Sequence, residues 1–306
     1  MKTINYFLSL FLSVLIGITS AQAQGQSGED STGLPGDNFD LQGALQMFQN
    51  ASSPEDFEKA INTEGNHVNN LDLDGDGDID YVRVVGKMDK DVHIFVLQVP
   101  VSSTENQDIA VIEIEKTGTE KAIIQIIGDE DIYGEQVIVE PDGGGDESAL
   151  ENFSNNSNLS GPNVSFEYNM PRIVVNVWLW PSVRFIYAPA YRPWASPWRW
   201  HSYPGWWKPW RPFGWNVWHP YRSHYHRPFV VVRTHRVIHA HRIYTPYRSS
   251  SVVVRNRHSA SVNNYRVTRS RTTVTGPRGN SATVKKTTVT GPRGNKATKV
   301  KVRRRH

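Results

Sequence analysis

Five aspartates fall within nine residues, Asp72-Leu-Asp-Gly-Asp-Gly-Asp-Ile-Asp80. Asp72, Asp74, Asp76 and Asp80 occupy positions 1, 3, 5 and 9 of a D-x-D-x-D-G-x-x-D loop. Alternate carboxylates converge when such a loop curls around an ion. Gly77 permits the sharp turn, and Asp78 can offer its backbone carbonyl. Oxygen donors in this number suit Ca²⁺ better than Mg²⁺, which keeps more of its water. Without a cation these carboxylates repel, so ion and loop should fold together. The affinity expected of an extracellular module is about 10⁻⁴–10⁻³ M. The plainer expectation is a solvated acidic turn. Asp129, Glu130, Asp131 and Glu135 form a second acidic run that could add ligands or an acidic patch but is expected to be a loop facing water.

Histidine supplies a second donor set: His219, His224, His226, His235, His239 and His241. On a strand, His224/His226 and His239/His241 would share a face and could chelate Zn²⁺, Cu²⁺ or Ni²⁺. The alternative is a weakly basic surface tract. A third set interleaves indoles with cations: Trp194, Trp198, Arg199, Trp200, Trp206, Trp207, Lys208, Trp210 and Arg211. These groups could stack on sugar rings or bases, sit at an anionic lipid interface, or pack on each other and on the acidic half.

Charge divides the chain in two. All 30 acids lie at or before Glu167, beside seven Lys/Arg, and the remaining 27 Lys/Arg follow with no acid among them. The net charge of +4 thus conceals an acidic body near −23 and a basic arm of +27. Such asymmetry speaks of partners and solubility rather than fold, and self-association of the halves is one outcome. With no cysteine there are no disulfides, thiol catalysis or thiolate metal sites. The sequence holds no nucleophile elbow, Walker loop or H-E-x-x-H, and a non-enzymatic protein is expected.

The elements that must position these groups follow from periodicity. Residues 1–23 read as a signal peptide: Lys2, an apolar run from Tyr6 to Ile18, then Ala21-Gln22-Ala23. A disordered leader is expected over 24–38 and an acidic α+β domain over 39–141. In that domain Asp40 and Ser53 cap two short helices, with Leu41, Leu45 and Phe48 lining the first and Phe57, Ala60 and Ile61 the second. Tyr81–Val85, Val92–Val101, Ile109–Glu115, Ala122–Ile127 and Val137–Val139 read as an antiparallel meander. Ala110, Ile112 and Ile114 point inward, and Val111, Glu113 and Glu115 the other way.

A linker is expected over 142–170 and a Trp/Pro/Arg-rich irregular β region over 171–249, with short strands at Ile173–Trp180, Val183–Tyr187 and Phe229–Tyr244. Over 250–306 a basic, largely disordered tail is expected. It contains a repeat, Thr272-Thr-Val-Thr-Gly-Pro-Arg-Gly-Asn280 recurring at Thr287–Asn295.

Leu71–Val85 resembles the calcium loops of FG-GAP, dockerin and EF-hand proteins. The likeness implies Asp72, Asp74, Asp76 and Asp80 as side-chain ligands and Asp78 as the carbonyl ligand. Arg83 stands at position 12, where an EF-hand has Glu, and the flank reads as strand rather than helix. Asn70-Leu-Asp-Leu-Asp-Gly-Asp-Gly77, Gly128–Gly134 and Val177–Phe185 are similar to exported proteins of Bacteroidota, a likeness over about residues 39–220 that supplies no activity. The resulting expectation is an exported Ca²⁺-binding envelope protein, periplasmic, outer-surface or extracellular. Its arm would adhere to an anionic polymer, lipid headgroups or extracellular nucleic acid, with no transmembrane span. Alternatives are an envelope metal-homeostasis protein using the histidines and a glycan-binding subunit of an enzyme system.

Overall fold

The computed structural model describes residues 31–143, 173–275, 281–290 and 296–305. The expected signal peptide, most of the expected linker and residues 24–30 lie outside them. No described helix is long and apolar enough to cross a membrane. The architecture is α+β, with N-terminal helices on an antiparallel sheet and a Trp-rich basic C-terminal region.

Helix α1 (Leu41–Asn50) starts where Asp40 Oδ1 accepts the backbone N–H groups of Gln42 and Gly43 at 3.0 and 3.2 Å. Helix α2 (Pro54–Ile61) starts with Ser53 Oγ accepting from Asp56 N at 3.1 Å and Pro54 fixing the first turn. Then follow β1 (Arg83–Asp89), β2 (Val92–Pro100), β3 (Asn106–Gly118) and β4 (Lys121–Gly128), the short α3 (Glu130–Tyr133) and β5 (Val137–Pro141). They pair antiparallel in chain order, as short links require. Lys90 and Glu120, both at φ +53°, turn the first and third hairpins.

Several C-terminal elements differ from expectation. Pro181–Ile186 is a helix, α4, because Pro181 opens a turn that buries Val183 and Ile186 against α1. Trp215–Arg222 forms α5. Only Phe229–Val232 of the expected long strand pairs, as β6. Ile238–Tyr244 is helix α6, whose Ala240 and Tyr244 lie one turn apart on its buried face. The described part of the tail forms regular elements: α7 (Val252–Asn264) leads to a three-stranded antiparallel sheet of β7 (Arg266–Thr275), β8 (Ser281–Thr290) and β9 (Lys296–Arg305). Both Thr-Thr-Val-Thr segments of the repeat end a strand, in keeping with their β-branched side chains. The leader is folded from Ser31 onward, where Asp37 accepts from Ser31, Thr32 and Gly33 N and Leu34 is buried.

The decisive element is β6. It pairs with β5, matching Ile138 with Val232 and Glu140 with Val230, and so makes the basic arm the sixth strand of the acidic body's sheet. One sheet face carries Phe95, Leu97, Ile112, Ile114, Ile124 and Ile126 beneath α1, α2 and α4. The other carries Ile94, Val96, Val111, Ile127 and Ile138 beneath Val237, Ala240 and Tyr244 of the arm.

Candidate metal centres

Buried charge explains how the halves meet. Among the described residues eight carboxylates are buried: Asp40, Glu58, Asp80, Asp108, Glu113, Glu115, Asp129 and Glu140. Arm groups reach all of these except Asp80. Arg222 and His226 each approach Asp40 Oδ2 to 3.9 Å. Ser196 Oγ donates to Glu58 at 2.9 Å, beside Tyr81 O–H and Val84 N–H. Asp108 accepts from Tyr244 O–H and Ser249 N–H at 3.1 and 2.8 Å. Arg248 clasps both oxygens of Asp129, at 2.5 and 2.8 Å, and also reaches Asp131. Arg236 Nε lies 3.0 Å from Glu140 Oε2. A buried carboxylate is tolerated only with such donors. Within the acidic run Asp129 and Asp131 are therefore clamped, while Glu130 and Glu135 face water as expected.

The same rule assembles the first candidate centre. Glu113 sits in β3 between Ile94 of β2 and Gln125 of β4, with no exposed surface. His235 Nε2 meets its Oε2 at 2.7 Å, and His241 Nδ1 meets its Oε1 at 2.9 Å. The imidazole centroids are 4.5 Å apart at 70°. Gln125 holds the loop on both sides of His235, donating to Thr234 O at 2.9 Å and accepting from Arg236 N at 2.8 Å. His241 is placed by α6. The donor atoms of Glu113, His235 and His241 all lie within 4.8 Å of one another. Both imidazole side chains keep partial exposure, 21% and 28%, so one side opens to solvent. The hydrogen bond to Glu113 raises the pKa of His241, outweighing desolvation.

This is not the histidine pairing expected from spacing. His239 and His241 lie on a helix, where i and i+2 point about 200° apart. His239 accordingly meets Glu115 Oε2 at 3.1 Å instead. His224 lies in a 3-10 turn with Nδ1 near Tyr221 O, His226 approaches Asp40, and the His219 ring lies 4.8 Å from that of Trp215, tilted by 34°. The partner that spacing missed was Glu113. Its signal lay in the neighbouring strands, where Ile94, Val96 and Ile127 make the same face too apolar to stand in water.

The second candidate centre is the Asp loop. Asp72, Asp74 and Asp80 bring carboxylate oxygens within 4.8 Å of one another, while Asp76 and Asp78 are not part of that group. Gly75 and Gly77 take φ of +70° and +91°, values that suit glycine. Asp74 Oδ1 accepts from Asp76 N, Asp76 Oδ1 from Asp78 N, and Asp72 Oδ2 from Gly77 N. Asp72 Oδ1 is buried without a partner. Burial, followed by hydrogen bonds that oppose it and by neighbouring aspartates that add to it, raises the pKa of Asp72 and Asp80. The loop leads to β1 rather than a helix. Arg83 turns away from it to Gln98 Oε1 and Trp198 O.

No protein-family model, curated protein or solved structure matches the chain. Its chemistry is therefore read from its own side chains. Two imidazoles and a carboxylate suit Zn²⁺, Cu²⁺ or Ni²⁺, and carboxylates alone suit a harder ion.

The expected surface-binding set is divided by the fold. Trp207 is buried, and Trp194, Trp198 and Trp210 are half-buried. Trp194 Nε1 faces Glu58 at 3.4 Å, and its carbonyl accepts from Gly86 N at 2.6 Å. Trp200 and Trp206, with Arg199, Lys208 and Arg211, stay exposed.

Proposed function

We propose that this chain is a non-catalytic, exported metal-binding protein that holds a divalent transition ion, Zn²⁺ foremost, at Glu113, His235 and His241. The observation that carries this reading is a fully buried carboxylate approached by two imidazoles from a separate layer. Three protein donors with a solvent-facing side leave room for water in the remaining position. Both rings already engage the carboxylate, so ion entry must displace a proton from any ring nitrogen that becomes a ligand. Such an arrangement fits metal homeostasis better than adhesion, because His235 and His241 are turned inward onto a buried acid of the body rather than outward to a partner.

Calorimetry of the metal-free protein with Zn²⁺, run in two buffers of different ionisation enthalpy, tests this. Binding with proton release is expected, at least tenfold weaker in Glu113→Gln and in His235→Ala/His241→Ala. His239→Ala should bind as wild type. Equal affinity in all variants would remove the site.

A second reading concerns Ca²⁺ at Asp72, Asp74 and Asp80, with Asp76 and Asp78 drawn in on binding. It is favoured by the unpartnered Asp72 Oδ1 and the two glycines at positive φ. Millimolar Ca²⁺ is expected to raise the melting temperature of wild type but not of Asp72→Ala/Asp76→Ala. An equal response from both would exclude it.

A further inference from the structure

The two most exposed tryptophans of the arm rest on a built foundation. Trp206 is 47% exposed and Trp200 is 36% exposed. Beneath them Trp207 is only 5% exposed, with its ring edge-on to Tyr81 at 5.1 Å and to Tyr203 at 4.6 Å. Trp206 continues this layer, 6.3 Å from Tyr81, with Lys59 Nζ 5.6 Å from its ring. Trp200 joins it through His201, at 4.0 Å, which lies 6.4 Å from Tyr203. The backbone is pinned as well. Arg199 and Ser202 exchange two hydrogen bonds, Trp207 N donates to Pro204 O, and Trp210 O accepts from Ile79 N at 2.7 Å. Phe213 and Asn70 bond each other twice. Two large indoles are thus held to water by an ordered aromatic layer, although their apolar area favours burial.

Cations adjacent in sequence to these indoles, and acids near the tyrosines beneath them, bring both signs of charge to this patch. Arg199, Lys208 and Arg211 are exposed and pair with no carboxylate among the described residues. Glu55 acts electrostatically on Tyr81, and Asp80, Asp74 and Asp76 act on Tyr203. A uniform polyanion such as nucleic acid would gain from the cations and lose against these acids. A neutral polyhydroxyl ligand uses both: its hydroxyls accept from guanidinium and ammonium and donate to carboxylate. Its axial C–H groups offer a flat, weakly positive face to an indole, whose π face is negative.

We propose that Trp200 and Trp206 form a binding platform for a neutral polysaccharide, its pyranose rings stacked on the indoles and its hydroxyls met by Arg199, Lys208 and Arg211. The platform is separate from the Glu113 centre and needs no ion there.

Sedimentation of the full-length mature protein with insoluble cellulose, chitin and curdlan tests it, beside heparin-agarose and anionic phosphatidylglycerol vesicles. Retention on at least one neutral polymer is expected, changing less than twofold between 0.1 and 1 M NaCl, since stacking is not screened as ion pairing is. Trp200→Ala/Trp206→Ala should lose at least tenfold in binding with an unchanged melting temperature, because both side chains are exposed. Arg199→Ala/Lys208→Ala/Arg211→Ala should lose less, about threefold. The proposal is overturned if no neutral polymer retains the protein, or if the double tryptophan variant binds as wild type. Retention on heparin or vesicles alone, released at 1 M NaCl, would also overturn it and assign the patch to polyanions.

Discussion

The two faces of the central sheet are built on different physics. Toward α1, α2 and α4 the strands present aliphatic and aromatic side chains, which need only volume and shape. Toward the arm the strands mix Ile94, Val96 and Val111 with Asp108, Glu113, Glu115, Gln125 and Glu140. Each of these polar groups needs a donor or acceptor in a defined direction, and residues 234–249 supply them. The first face would accept many apolar covers. The second accepts a segment that brings imidazole, guanidinium and amide groups to the right places, and the Glu113 centre is a product of that demand.

The sharpest way to break the contrast is Arg248→Ala, which leaves Asp129 buried and unpaired. A loss of about 3–5 kcal/mol is expected in urea denaturation, and adding Asp129→Asn should restore part of it. On the apolar face Leu45→Ala should cost about 2–5 kcal/mol by opening a cavity, with the same value at pH 5 and pH 8. Equal pH sensitivity of the two variants would erase the distinction between the faces.

The helix side also holds a titratable strand residue. His93 is buried between Tyr187 and Tyr191, with ring centroids at 4.6 and 5.4 Å, and desolvation lowers its pKa to about 4. The unfolded chain takes up this proton near pH 6.5 and the folded chain does not. Stability should therefore fall as pH drops from about 6.5 toward 4, by up to about 3 kcal/mol. His93→Phe should flatten that limb of the curve, and an unchanged acid limb would count against the assignment.

On the arm side the sign reverses. The raised pKa of His241 stabilises the fold fully below its unfolded value, and the contribution is lost as pH rises through the folded one. In metal-free protein this effect should be the smallest of the set, since the ring is partly exposed. His241→Gln should remove it, and saturating Zn²⁺ should reverse the trend, because the ion competes with protons.

Much of the first half was legible. Asp40 and Ser53 cap their helices as their side chains suggest, and the meander follows its period of two because neighbouring strands have short links. The convergence of Asp72, Asp74 and Asp80 was also local, set by alternate spacing around two glycines. The second half was legible only in composition. Val183 and Ile186, or Ala240 and Tyr244, fit a helical face as well as a short strand, and their choice depends on α1 and β3, far away in sequence.

The chain's charge division, its absence of cysteine, its capped helices and its carboxylate loop are properties of neighbouring residues, so the sequence determined them alone. That the cationic half would become the sixth strand and second layer of the anionic half was decided by tertiary structure. So was the meeting of Glu113 with His235 and His241, residues more than a hundred positions apart. A buried carboxylate states that it requires donors, but not which ones. Only the packed sheet, which fixes where each carboxylate points, selects the side chains that answer it.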